Sequence, residues 1–189
     1  MPPDHLAHRG HLQSLAGFLQ RSSTILNDWD RYTDRHTDDD GYPLDDDAYD
    51  RRASRRDADT YAAFADVRDG APLLLATAAS QLARLPSRTA PQHWAYQLGL
   101  LRQALDILDE VQQEWLVTLA RLPEGAGPGT AAYDDALAGY HADTWSHLDD
   151  WQSYGHTLIN INTAAQQAPS PLAPAPAVSP ACGPARHSR

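Results

Sequence analysis

The sequence predicts an all-α protein: an antiparallel up-down four-helix bundle whose second helix is kinked or broken, followed by a disordered Pro/Ala-rich C-terminal tail. Three observations carry that expectation. Apolar residues recur at alternating intervals of four and three over long stretches, the spacing that lines one face of a helix. Three clusters of turn-forming residues, at 36–44, 86–90 and 123–129, cut the chain into four segments. No stretch alternates apolar and polar residues in the Val- and Ile-rich manner of a half-buried strand, and no internal repeat is visible.

The first segment carries its stripe at Leu12, Leu15, Leu19, Leu26 and Trp29. In the second, from about Asp45 to Leu85, the first half is charged and the stripe begins at Phe64, continuing through Val67, Ala71, Leu74, Ala78 and Leu85. Gly70 and Pro72 interrupt it. A proline inside a helix removes one backbone hydrogen bond and clashes with the preceding turn, so a kink or two shorter helices are expected here. The third segment has the strictest spacing, Trp94, Leu98, Leu101, Leu105, Leu108, Gln112, Trp115, Leu119 and Leu122, with Pro91 near its start. The fourth repeats the pattern at Tyr133, Leu137, Tyr140, Thr144, His147, Trp151, Tyr154, Leu158 and Ile161. Segments of about 30 residues make helices roughly 45 Å long, and short connections favour antiparallel neighbours.

Of 189 residues, 42% are hydrophobic and 21% charged, which supplies one core of ordinary size but not two. Residues 1–167 are read as one bundle domain. From 168 to 189, repeated prolines among Ala and Ser cannot bury enough surface to offset their ordering entropy, so this part is read as a disordered tail. The N-terminus lacks a basic stretch followed by an apolar run, and no apolar run approaches the length of a membrane span, so a cytoplasmic protein without membrane contact is expected.

Composition removes several chemistries. All 15 basic residues are Arg, which excludes a phosphate-binding Walker lysine, a Schiff-base lysine and a Ser-Lys dyad. Cys182 is the single cysteine, so neither an internal disulfide nor a multi-cysteine metal site is available. A formal charge of -10 repels phosphate backbones, which makes direct nucleic-acid binding an unfavourable reading.

Several constellations invite functional readings. The run from His36 to Asp47 can be laid on a calcium loop with Gly41 at the sixth place. However, His36 would be the first ligand, Asp47 replaces the bidentate Glu, and Pro43 stiffens the turn. It is read instead as a solvated loop whose Asp45 to Asp47 cap the next helix. Arg51, Arg52, Arg55 and Arg56 form a guanidinium patch able to dock an anionic or protein partner. The i,i+4 pairs Asp47–Arg51 and Arg55–Asp59 offer the simpler account of a solvent-facing helix laced with its own ion pairs. His5, His8 and His11 recur every three residues at a chain end where fraying is expected. Asp106, Glu110 and Glu114 fall away from the leucine stripe, and Asp109 lies nearer its edge. Gly125, Gly127 and Gly129 follow a helix rather than a strand, which makes them a connector instead of a phosphate loop.

Polar exceptions on the apolar stripes define a candidate ligand pocket at Gln112, Tyr140, Asp143, Thr144, His147 and Asn162. The competing account is that these groups fix helix register. Asp143 and His147 stand four apart, so the carboxylate is spaced to orient the imidazole. Trp145 projects at the border of its apolar arc and is a candidate contact for a partner protein. No catalytic, cofactor-binding or metal-ligating residue is assigned, and no cofactor is expected. The leading functional expectation is a non-enzymatic acidic accessory protein that binds another protein, with self-association as a further possibility. The alternatives are a bundle enzyme or small-ligand or metal-binding protein centred on Asp143 and His147, and an acidic DNA mimic.

Overall fold

The computed structural model describes residues 3–86 and 88–168. Six helices account for the regular structure among them: α1 (Pro3–His36), α2 (Asp46–Arg68), α3 (Ala71–Leu82), α4 (His93–Arg121), α5 (Ala131–Tyr154) and α6 (His156–Gln167). Among the described residues the non-helical pairing is one isolated bridge, Thr37 with Pro43, inside the first connection. No helix there is long and apolar enough to cross a membrane. Apart from Ala168, the tail expected over 168–189 lies outside the described residues.

The acidic run before α2 does local work. The Asp45 carboxylate accepts from Ala48 N at 2.9 Å, and Asp46 and Asp47 occupy the first turn, where the helix dipole favours negative charge. The interruption expected in the second segment takes the form of two helices. α2 ends at Arg68, the chain passes through Asp69 and Gly70, and α3 begins with Pro72 in its first turn, where a missing N–H leaves no bond broken. Gly70 lies against the His11 ring of α1, which a Cβ would overlap.

The fourth segment, expected as one continuous helix, is also divided. Gly155 separates α5 from α6. A Cβ there would stand 2.5 Å from the Trp151 carbonyl oxygen and 3.0 Å from Leu19 Cδ2, so the missing side chain is what allows α1 to approach. The register of α5 also differs slightly from expectation. Its buried face is Tyr140, Thr144, Leu148 and Trp151; Leu148 is fully buried and His147 only half-buried.

α1 packs on α2, α4 on α5, and α2 on α5, while α3 packs on α6 and α4. α1 and α4 do not approach each other. The two divided helices therefore share the central contact, and each carries an outer helix. Phe64 stands at the middle of this arrangement, meeting Phe18 edge-on at 5.1 Å and Trp151 edge-on at 5.2 Å between ring centroids. Leu15, Val67, Leu74, Leu101, Leu108, Thr144, Leu148, Leu158 and Ile161 complete the most deeply buried set of large side chains.

The packed core ends part-way along the molecule. α4 buries Trp94, Leu98, Leu101, Ala104, Leu105 and Leu108, yet no residue from 109 to 139 is buried, and none from 23 to 56. The apolar stripe continues through Gln112, Trp115, Leu119 and Leu122, but there it is only half covered.

Two alanine substitutions separate crowding from helix propensity. Gly155→Ala is expected to lower unfolding free energy by about 1–3 kcal/mol through overpacking. Gly139→Ala, in the interior of α5 with nothing near its would-be Cβ, is expected to raise it by about 0.5–1 kcal/mol. Urea unfolding monitored by circular dichroism reads both, and equal shifts of one sign would contradict the packing described for Gly155.

Candidate interaction site

The stretches 23–56 and 109–139, which lack buried residues, carry most of the charge. The first holds ten acidic residues against six arginines and the second six against one, so nine of the ten net negative charges fall on these two helix-hairpin ends. Both ends are also aromatic. Trp29 stacks on Tyr32 at 6.0 Å and meets Tyr49 edge-on at 5.0 Å, and Tyr32 stacks on His36 at 4.1 Å. On the other end Trp115 meets Tyr133 at 5.9 Å and stacks on Tyr140 at 5.2 Å. Tyr42, Leu44, Leu116 and Val117 are exposed large apolar side chains on the same ends, Leu116 at 50% and Val117 at 47%.

Where α2 meets α5, Arg56 lies between two indoles, 4.0 Å from the Trp145 centroid and 4.4 Å from that of Trp29. Its Nη2 donates to Asp57 Oδ1 at 2.7 Å, and only 14% of the Arg56 side chain and 7% of the Asp57 side chain reach solvent. A desolvated cation over an aromatic face contributes up to about 2 kcal/mol. α1, α2 and α5 are thus tied by one guanidinium. Burial pushes the Asp57 carboxyl above its ordinary value, against the pull of Arg56 and His141. Burial likewise pushes His141 down, opposed by the Asp57 charge. Asp149 is pushed up by burial and by the neighbouring Asp150.

Beside this pair, Tyr140 Oη lies 2.7 Å from Gln112 Oε1 and 2.9 Å from Tyr61 Oη. Each phenol has one proton, so Tyr140 donates to the amide oxygen and accepts from Tyr61. Burial and the Tyr61 hydroxyl push the Tyr140 pKa strongly upward, which keeps it a neutral phenol. Arg68 completes the link to α4, donating to Asp109 Oδ1 at 2.8 Å and to the Leu108 carbonyl at 3.3 Å.

The four arginines expected to form one patch are divided. Arg51, Arg52 and Arg55 are exposed, while Arg56 turns into the cluster. Arg55 pairs with Asp59 at 3.1 Å, as its spacing suggests, and the Arg52 guanidinium lies 5.7 Å from the Tyr32 ring. Trp145 is half-buried beneath Arg56. The candidate pocket residues fall in separate places. Gln112 and Tyr140 are bonded together; Thr144 is buried, its hydroxyl donating to the His141 carbonyl at 2.8 Å; Asp143 is exposed; and His147 is half-buried. Asn162 lies elsewhere, its Oδ1 accepting from Gln81 Nε2 at 3.2 Å with His8 Nε2 also at 3.2 Å.

In the first connection, Asp38 Oδ1 accepts from the backbone N–H of Asp40 at 3.0 Å and of Tyr42 at 2.8 Å. Asp38 and Asp45 thus serve the loop and the cap. No group of three or more His, Cys, Asp or Glu among the described residues is placed to hold a metal ion.

Asp57, Tyr61, His141 and Trp29 were not singled out as site residues in the sequence, although two of them carried a usable signal. Asp57, Thr60, Phe64 and Val67 keep the three-four spacing of the buried face of α2, and His141, Thr144, Leu148 and Trp151 keep it in α5. Extending the second stripe two turns upstream of Phe64 reaches the buried carboxylate, and shifting the fourth by one residue from Tyr140 reaches its imidazole neighbour.

The arrangement defines an acidic all-helical protein with an apolar packed half and a charged aromatic half. No family model matches the chain, and comparisons with curated proteins and with solved structures likewise find no match.

Removing Arg56 leaves a buried carboxylate without its cation, so Arg56→Met is expected to cost about 3–5 kcal/mol. The double variant Arg56→Met with Asp57→Leu is expected to recover most of that loss, and chemical denaturation of the pair measures it. His141 gives the pH dependence. Its folded pKa lies below the ordinary 6.5, so the unfolded chain takes up the proton first and stability falls as pH drops through that value. Asp57 acts oppositely in a lower window: its raised pKa makes the folded form take up the proton first, so its contribution is regained on acidification toward 3.8. Thermal unfolding between about pH 7.5 and about pH 5.5 is therefore expected to show a loss in the wild type that His141→Gln lacks.

Proposed function

We propose that the chain is a non-enzymatic acidic accessory protein of the cytoplasm that binds another protein. In this reading residues 1–167 form an up-down four-helix bundle in which the packed half is a scaffold and the unburied half is the docking end. The observation that carries it is segregation: nine of the ten net negative charges, with Tyr42, Leu44, Leu116 and Val117 exposed, lie on stretches without a buried residue. Charge spread evenly over a surface serves solubility, whereas charge gathered with apolar side chains at one end favours a complementary partner. The polar groups nearest to catalytic types support the same view. Asp57 is already paired with Arg56, and Tyr140 is held protonated between two hydrogen-bond partners. Asp143 and His147, exposed and half-buried, lend the ligand-site reading less support.

The charge segregation also favours a second reading, in which the acidic end occupies the DNA-binding surface of a partner as a mimic of the duplex. Both are tested with the double variant Leu116→Asp/Val117→Asp, whose helicity and unfolding midpoint are expected to match the wild type. A partner recovered reciprocally with the wild type is expected to be lost with this variant. Displacement of that partner by duplex DNA would select the mimic. A strictly monomeric chain with no partner, or a partner indifferent to both residues, would remove the proposal.

A further inference from the structure

Past Asp109, α4 has a single helical neighbour. The backbone of α4 lies beside α3, α5 and α6, and the Arg68 side chain at the end of α2 also reaches it. α6 lies beside its first half, where Thr157 donates to Gln97, and Arg68, just ahead of α3, reaches Leu108. Beyond Asp109, the last residue that Arg68 reaches, only α5 lies beside α4, and two helices cannot cover a broad apolar arc by themselves. Val111, Trp115, Leu119 and Leu122 are accordingly half-buried, and Leu116 and Val117 stand about half exposed.

The surroundings of this arc specify its complement. Glu110 and Glu114 are exposed on α4, as are Asp134 and Asp135 on the first turns of α5, and Arg121 is the one basic residue from 109 to 139. An apolar strip on so acidic an end repels another acidic surface, including the same end of a second copy of this chain. It suits a helix with apolar residues on one face and Lys or Arg beside them, which would act as a third helix against α4 and α5.

We infer that the α4–α5 end is a docking site for a basic amphipathic helical segment of another protein. This inference rests on the protein-binding reading above and narrows it to one surface and one partner chemistry. Leu116 and the half-buried strip supply the apolar contact. Glu110, Glu114, Asp134 and Asp135 supply orientation and salt dependence.

The test uses the full chain and a synthetic 18-residue peptide of Leu and Lys, with Leu spaced at three and four. Two controls accompany it: a scrambled peptide of the same composition, and the same pattern with Glu in place of Lys. Calorimetric titration is expected to show binding of the patterned Leu/Lys peptide, weakening with salt, and at least about tenfold weaker binding of both controls. Leu116→Ser and the double variant Glu110→Gln/Glu114→Gln are each expected to weaken the patterned peptide by about tenfold. Asp66→Asn/Asp69→Asn, which removes the same charge from the other end of α2, is expected to leave it unchanged. Absence of binding, equal binding of the scrambled peptide, or equal weakening by the Asp66/Asp69 variant would overturn the inference. Because the probe is synthetic, these outcomes are independent of whether a cellular partner is recovered, and the broader reading stands or falls separately.

Discussion

The contact of Phe64 with Phe18 on one side and Trp151 on the other is the constraint on which the remaining structure depends. It joins α1, α2 and α5 through three large, buried rings, and removing any one would leave a cavity that aliphatic neighbours close only in part. The approach of α1 that brings Phe18 into place also presses Leu15 and Leu19 against Gly155. The division of α5 from α6 and the aromatic centre are therefore two aspects of one packing arrangement.

Moving from that centre toward the unburied end, apolar contact gives way to polar contact in steps. Phe64 and Trp151 are followed by the Tyr61–Tyr140–Gln112 chain with His141 against Tyr61, and then by Asp57 paired with Arg56 between Trp29 and Trp145. Tyr140, Gln112 and Arg56 are each paired with another helix or a close neighbour, whereas the buried Trp151 indole N–H has no partner among the described residues. That matters because an unpaired buried donor or carboxylate costs more than the net gain of pairing it. The cluster thus fixes how α1, α2, α4 and α5 sit relative to one another, and it separates a half held together by apolar burial from a half that faces its surroundings with carboxylates and aromatic rings.

Much of the helical content was legible in the chain. The stripe of the third segment matches the buried face of α4 as far as Leu108, that of the first meets the buried face of α1 at Leu15 and Leu19 but misses Phe18 and Ser22, and Gly70 with Pro72 marks the boundary between α2 and α3. The site was legible only in fragments. Gln112 and Tyr140 were visible as polar exceptions on apolar stripes, and they meet. Asn162 was visible in the same way, but its partners are Gln81 and His8. Arg56 was indistinguishable from Arg51, Arg52 and Arg55 in a run of charged residues, because what sets it apart is the pair of indoles supplied by α1 and α5.

The sequence by itself determined the helical class, an interruption at Gly70 and Pro72, and the crowding of negative charge into two stretches. These follow from the order of residues along one chain: periodicity states which side chains share a face, and charges add wherever they lie. Tertiary structure decided which faces meet. It placed Asp57 and His141 inside the α2–α5 contact, divided the fourth helix where α1 presses on Gly155, and ended burial at Leu108 although the apolar spacing runs on to Leu122. A stripe offers a surface for burial, but only a neighbouring helix can cover it, and beyond Asp109 α4 has α5 alone.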